Sequence, residues 1–230
     1  FCAVSFDGAS RCMTSPDGFT WTLQASLAAE AWYDICWSPE LNLFCAVSLS
    51  GGTCVSTSPD GVTWTQQTIS GITTNCYSVC WSPALSIFCL IRFNGAVYTS
   101  PDGIVWTSRT ASNKSWSRVC WSSGLGLFCA VGITGTNRCA TSPDGIVWTD
   151  RAIPGSSWRS VTYSEELAMF VAVASGGQLA YSFNGTTWLS GTAPQATNQW
   201  YDIMWCRHTG NFVITGITGT ARIMTSNRVR

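Results

Sequence analysis

Twelve cysteines, one histidine and twelve carboxylates are the side chains of this 230-residue chain that could ligate a metal, attack a substrate or exchange protons. A structural zinc site draws on closely spaced Cys and His pairs. No Cys-x-x-Cys pair occurs and His208 stands alone, so neither a metal nor a cofactor is expected. A Ser-His-Asp arrangement would have to use His208, which reads as a loop residue after a strand. A paired-carboxylate hydrolase would draw on Asp34, Asp202, Glu165 or Glu166. Asp34 and Asp202 share a slot held elsewhere by Ser78, Arg118 and Ser160, and the glutamates fall in a turn where solvated charge is the simple reading. The remaining conspicuous acids, Asp17, Asp60, Asp102 and Asp144, recur in one fixed neighbourhood. A catalytic group is needed once, so a group that recurs in register is scaffold.

The cysteines are patterned too. One slot precedes a Trp and another follows a Phe: Cys36 with Cys45, Cys80 with Cys89, and Cys120 with Cys129. In the next two copies the slots become Thr162 with Val171 and Met204 with Val213, so they gain and lose cysteine together. Placed on adjacent antiparallel strands, the members of each pair face one another. Three cross-strand disulfides are the expectation, each closing a short loop; buried thiols serving as small apolar side chains are the alternative. Cys2 occupies the same slot in a first copy whose partner strand would precede Phe1, which reads as a chain trimmed or cut from something longer. Cys12 and Cys139 fall in a slot otherwise held by Val55, Val97, Leu179 and Ile223 and read as core thiols. Cys54 and Cys76 are each unique to one copy, with a bond between them as one alternative, and Cys206 is unassigned.

These slots belong to a tandem repeat. Ser-Pro-Asp-Gly occurs at 15–18, 58–61, 100–103 and 142–145, each time with a Trp three residues beyond the Gly, and Ser182-Phe183-Asn184-Gly185 is a worn copy. The tryptophans, Trp21, Trp64, Trp106, Trp148 and Trp188, are spaced 43, 42, 42 and 40 residues apart. Each unit parses into four short strands rich in β-branched and aromatic residues and bounded by turn residues. In the second unit these are 33–37, 44–48, 54–57 and 62–65. The signature is a turn: Pro presets φ, Asp accepts backbone N–H bonds, and Gly takes a left-handed conformation. It predicts a tight hairpin between the third and fourth strands with the Trp on the fourth.

Four strands in about 40 residues, repeated, is the arithmetic of a propeller blade. The turn resembles the Asp-box of sialidase-type propellers, Ser-x-Asp-x-Gly-x-x-Trp, with one residue fewer between Asp and Gly. The whole unit is similar to the Ser-Pro-Asp-Gly-x-x-Trp repeats of phage, viral and bacterial surface proteins. That resemblance implies an all-β propeller and a display role, not an activity. A sialidase-like site would need an arginine cluster and a nucleophilic Tyr; Arg11, Arg138 and Arg222 again share a repeat slot. The units run approximately 1–31, 32–74, 75–115, 116–157, 158–199 and 200–230 in one domain. The first lacks an opening strand and the last a closing one, which gives 22 strands. Six blades with incomplete first and last members is the expectation; a longer array, or completion by another chain to give a homo-polymer, are the alternatives.

Only 10% of the residues are charged and the charges cancel, against roughly a quarter in ordinary domains. Such a chain lacks the footprint of a nucleic-acid binder. No apolar run approaches bilayer-spanning length, so membrane insertion is not expected. A surface of Ser, Thr, Asn and Gly suits an extracellular, cell-surface or virion location. Trp32, Trp116, Trp158 and Trp200 share a slot at the start of the first strand: exposed, they would stack on sugar rings; buried, they would pack blades together. Asn113 and Asn184 head N-glycosylation sequons. The reading is a non-enzymatic structural or adhesive module whose partners are other protein chains or glycans, with a propeller lectin as the alternative and a glycan hydrolase a more distant one.

Overall fold

The computed structural model describes residues 1–72, 74–112, 114–193, 198–219 and 222–226. Asn113, one of the two sequon residues, lies outside them. The described residues form strands and turns with no helix, in six antiparallel sheets that each follow chain order as a meander. The first sheet is β1 (Cys2–Val4), β2 (Cys12–Thr14) and β3 (Thr22–Gln24). The second is β4 (Trp32–Ser38), β5 (Leu43–Ser48), β6 (Val55–Ser58) and β7 (Thr65–Gln67). The third is β8 (Cys76–Ser82), β9 (Ile87–Arg92), β10 (Val97–Ser100) and β11 (Thr107–Arg109). The fourth is β12 (Trp116–Ser122), β13 (Leu127–Gly132), β14 (Cys139–Ser142) and β15 (Thr149–Arg151). The fifth is β16 (Trp158–Ser164), β17 (Met169–Ala174), β18 (Gln178–Ser182) and β19 (Leu189–Thr192), and the sixth is β20 (Trp200–Cys206), β21 (Asn211–Gly216) and β22 (Ile223–Thr225). These are the blades of a six-bladed β-propeller, with the first and sixth three-stranded among the described residues. The chain divides into two compact units, Phe1–Arg109 with three sheets and Thr110–Arg230 with the other three.

Within each unit the sheets meet along their first strands, β4 against β8 in one and β12 against β16 against β20 in the other. The second strand of each complete sheet is therefore covered on both faces. Ala46, Val47, Leu90, Ile91, Ala130, Val131, Ala172 and Val173 are all fully buried, which explains why these strands read as unbroken apolar runs without alternation. One core cluster joins β5 and β6 to β8 and β9 through Val47, Val55, Val79, Phe88 and Leu90. Its counterpart joins β13 and β14 to β16 and β17 through Val131, Val161, Phe170 and Ala172. The fourth strands are short, polar and mostly exposed, which blunts an otherwise adhesive edge. Each ties back to its third strand by one repeated bond: Gln24 and Gln67 Nε2, and Arg109 and Arg151 Nε, donate to Thr14, Thr57, Thr99 and Thr141 Oγ1 at 2.8–3.0 Å.

The signature turn is wider than the hairpin expected from the sequence. β6 ends at Ser58 and β7 begins at Thr65, so the Trp precedes the fourth strand and does not lie on it. The reason is local. Asp60 Oδ1 accepts the N–H groups of Val62 at 2.8 Å and Thr63 at 2.7 Å. Donors committed to the turn cannot join a ladder, so pairing resumes only beyond the Trp. Gly61 N–H donates to Ser58 Oγ at 2.8 Å, and Trp64 Nε1 donates to the Gly61 carbonyl at 3.0 Å. The glycine has a second duty besides its φ of 74°. A Cβ at Gly103 would stand 3.1 Å from Thr57 Cγ2 and 3.4 Å from Leu43 Cδ2 of the preceding sheet.

At the three expected disulfide positions Cys36 lies directly opposite Cys45, Cys80 opposite Cys89 and Cys120 opposite Cys129, so the register is as the slots imply, and the structure carries no S–S bond there. Opposed Cβ atoms in an antiparallel ladder stand about 4.5–5.5 Å apart, whereas a disulfide prefers about 3.8 Å. Closing the bond would pinch a ladder that is already satisfied. The same opposed slots hold Thr162 with Val171 and Met204 with Val213 in later sheets. The position thus asks for a medium-sized, mainly apolar side chain, which a thiol supplies. Burial pushes the Cys45, Cys89 and Cys120 thiols well above their usual range, which keeps them protonated and unreactive. Cys12 and Cys139 are buried, as their slot implies.

Candidate functional site

Each complete first strand carries a β-bulge at its second residue. In β4, Trp32 pairs with Ser48 and Asp34 with Val47, so the register shifts across Tyr33. The same shift falls at Tyr77, Ser117, Arg159 and Tyr201 in the other sheets. A bulge re-aims a side chain relative to the pleat, and such positions are common beside functional sites. The slots before and after the bulge do different work.

The slot before it holds the tryptophans. Trp32, Trp116, Trp158 and Trp200 are at most 1% exposed, so the stacking-platform reading is corrected, and within the units Trp32, Trp158 and Trp200 are wedges between blades. Trp158 packs with Cys129 and Cys139 of the preceding sheet, Trp200 with Val171 and Val173, and Trp32 with Cys12. The first residue of a first strand lies where successive sheets touch, and an indole there fills the gap above the strands of its neighbour.

The slot after the bulge holds Asp34 and Asp202, and these are clamps. Asp34 Oδ2 accepts Ser78 Oγ at 2.7 Å and the Val79 N–H at 3.0 Å. Ser160 Oγ donates to Asp202 Oδ1 at 2.6 Å, and Arg118 Nη2 lies 3.9 Å from Asp202 Oδ2. Each carboxylate ties the first strand of one sheet to its neighbour. Glu165 and Glu166 are clamps as well. Glu165 accepts the N–H groups of Ser123 and Gly124, both at 3.1 Å. Glu166 accepts Trp205 Nε1 and Arg207 Nε, both at 2.6 Å. Trp81 Nε1 donates to Glu40 at 2.6 Å in the same manner. Glu165 and Glu166 are exposed in their turn, as solvated charge implies, and each also bonds the neighbouring hairpin. Among the described residues no three His, Cys, Asp or Glu side chains converge as a metal site would require.

The turn acids are committed in the same sense. Backbone N–H donors hold Asp17 and Asp60 below the ordinary carboxylate value of 3.8. Burial works against the charge on Asp102 and Asp144, but two backbone N–H groups and the Ser hydroxyl outweigh it and the net shift is again downward. Asn184 makes the same bonds, accepting the Thr186 and Thr187 N–H groups at 2.9 Å. An amide that does the job of the acid marks the slot as structural. The recurring arginines bond to loop carbonyls: Arg11 to Phe6, Arg138 to Gly155 and Arg222 to Gly219.

What remains is the bulge row itself. Tyr33 and Tyr77 sit on adjacent sheets with ring centroids 5.0 Å apart, and Tyr77 stacks on Phe93 at 4.9 Å and 26°. All three rings are half-buried. In the other unit the Arg159 guanidinium lies 5.6 Å from the Tyr201 ring centre. Ser117 is used internally, its hydroxyl donating to the Trp158 carbonyl at 2.9 Å. The sequence carried a signal for this row: Tyr, Tyr, Ser, Arg, Tyr varies between frame slots that hardly change. It was hidden because an ideal strand would put residue 33 on the face opposite its neighbours without singling it out.

No protein-family description matches the chain, and no curated protein matches it in sequence. The likeness is in structure. Virginiamycin B lyase from Staphylococcus aureus superposes with a TM-score of 0.77 at 10% identity, over 100% of this chain and 84% of that one. YCF48 bound to D1 peptide gives 0.67 at 16% identity, over 96% and 72%. A GH74 enzyme of Niastella koreensis gives 0.69 at 16% identity, over 97% of this chain and 35% of that one. At these identities the likeness establishes the propeller fold, on which lyases, hydrolases and peptide binders are all built.

Proposed function

We propose that the chain is a non-enzymatic interaction module, displayed outside the cell or on a virion, that binds a segment of a protein partner through the Tyr33 and Tyr77 bulges of its first unit. Its blades are read as Asp-box-like repeats in which the signature turn is scaffold. The observation that carries the proposal is the half-exposed Tyr33–Tyr77–Phe93 cluster. Fixed aromatic rings offer large contact area at small entropic cost, and tyrosine is enriched in interfaces for that reason. The chemically suggestive carboxylates and arginines are engaged in holding blades together, which favours binding over turnover. YCF48, of the same fold, is described in complex with a peptide.

Panning the immobilised chain against random displayed peptides, alongside a glycan array, tests the proposal. The expected outcome is enrichment of peptides whose affinity falls at least roughly tenfold in a Tyr33→Ala/Tyr77→Ala variant that unfolds at the wild-type temperature, since aromatic anchors of an interface commonly carry about 2 kcal/mol or more. Peptide binding that survives the double change, binding to glycans alone, or product release from a glycan substrate would each overturn it.

A further inference from the structure

Two repeat positions vary together: the one at the entry to the third strand of a complete sheet (β2 in the first sheet) and the first residue of the next sheet. Within the units, three such positions hold a polar residue and a tryptophan: Arg11 and Trp32, Arg138 and Trp158, and Gln178 and Trp200. The junction between the second and third sheets departs from the pattern at both positions together, with Cys54 and Cys76. Both are fully buried in one core cluster. The backbone holds them at one place: Ser48 N–H donates to the Cys54 carbonyl at 2.9 Å, and Asn75 N–H donates to the adjacent Leu49 carbonyl at 2.8 Å. Ile69 and Ile72, joined by a short bridge, are buried in the same cluster.

We propose that Cys54 and Cys76 are an oxidisable pair whose disulfide staples the second blade to the third. The other sulfur contacts are less suited to bonding. Cys2 and Cys12, 3.5 Å apart at sulfur, and Cys129 and Cys139, 3.7 Å apart, are diagonal neighbours on one ladder. Diagonal positions lie about 7–8 Å apart at Cα and the ladder fixes them there. Cys54 and Cys76 belong to different sheets, and no ladder bond sets their separation. A hydrogen bond between the two thiols lowers the Cys54 pKa and raises that of Cys76.

The chemistry is thiol–disulfide exchange with a low-molecular-weight disulfide such as oxidised glutathione. The Cys54 thiolate attacks one glutathione sulfur, breaks its S–S bond and expels glutathione thiolate. The Cys76 sulfur then attacks Cys54 in the mixed disulfide, forms the Cys54–Cys76 bond and expels the second glutathione. Two protein thiols are oxidised, one glutathione disulfide is reduced to two thiols, and the two protons pass to the products. The turn of Ser50, Gly51 and Gly52 that precedes Cys54 is exposed.

The test refolds the full chain in a buffer of reduced and oxidised glutathione, blocks residual thiols under denaturing conditions and cleaves before Asp60, between the two cysteines. Tandem mass spectrometry of the unreduced digest should find Cys54 linked to Cys76. The unfolding midpoint should lie roughly 5–10 °C above that of the reduced chain, and the gain should be absent from Cys54→Ser. Recovery of both cysteines blocked, linkage of either to a different cysteine such as Cys45, or an equal gain in Cys54→Ser would overturn the proposal. The wild-type peptide map decides the linkage even where the variant does not fold.

Discussion

At the signature turns, five copies repeat one set of bonds almost without variation. The Gly N–H to Ser Oγ distance is 2.7–2.9 Å in every copy, and the first N–H to the Asp or Asn Oδ1 is 2.8–2.9 Å. At the bulges of the first strands, the backbone irregularity recurs in all five sheets while the side chain changes from Tyr to Ser to Arg. One region holds its chemistry fixed because the Ser hydroxyl and the Asp or Asn oxygen are consumed by the turn's own N–H groups and Gly61, Gly103 and Gly185 touch the preceding blade. The other holds only its backbone fixed, so its side chain can vary from blade to blade. In a repeat protein, a slot whose geometry is kept and whose chemistry drifts is the better candidate for function.

The contrast can be broken by mutation. The largest effect belongs to the frame between blades. Phe170 is fully buried, packs against Tyr163 at 4.8 Å and lies 6.2 Å from Trp188. Phe170→Ala should cost about 3–5 kcal/mol by denaturant titration. Gly103→Ala combines a positive φ with a 3.1 Å approach to Thr57, and should cost about 1–3 kcal/mol in the same assay. Asp144→Ala strips two backbone donors and Ser142 of their shared acceptor and should cost about 1–2 kcal/mol. Asp144→Asn should cost far less, because Asn184 already works in that slot.

Acid sharpens the same comparison. The turn carboxylates have folded pKa values lowered from 3.8. The stability they contribute is present above 3.8 and is lost as pH falls through the lower folded values. Thermal midpoints measured between pH 5 and pH 2 should therefore fall most steeply below 3.8. Replacing Asp17, Asp60, Asp102 and Asp144 together by Asn should flatten that limb. The smallest effect on stability is expected at the bulges: Tyr33→Ser and Tyr77→Ser should each move the folding free energy by less than about 1 kcal/mol, while peptide binding is lost.

Much of this was legible in the chain. The 42-residue period, the strand order, the three-stranded first and last sheets and the structural role of the turn all rest on contacts close in sequence. Pro, Asp and Gly each dictate local backbone, and the unbroken Phe-Cys-Ala-Val runs marked strands buried on both faces. The fourth strands were misplaced because the turn's own hydrogen bonds, and not β propensity, decided where pairing resumes.

The tertiary structure decided what lay between one blade and the next. Trp158 is a wedge and not a platform because residues of the preceding sheet, Cys129 and Cys139, close over it. Asp34, Asp202, Glu165 and Glu166 are clamps because their donors stand on neighbouring sheets, about forty residues away in sequence. Cys36 lies opposite Cys45 because the ladder sets the register, and Cys54 shares a buried cluster with Cys76 because two sheets bring them together. Local chemistry fixes which elements form. Burial, pairing and exposure depend on neighbours that a repeat brings near only after each blade has stacked on the last, and those neighbours separated the scaffold from the surface left to bind.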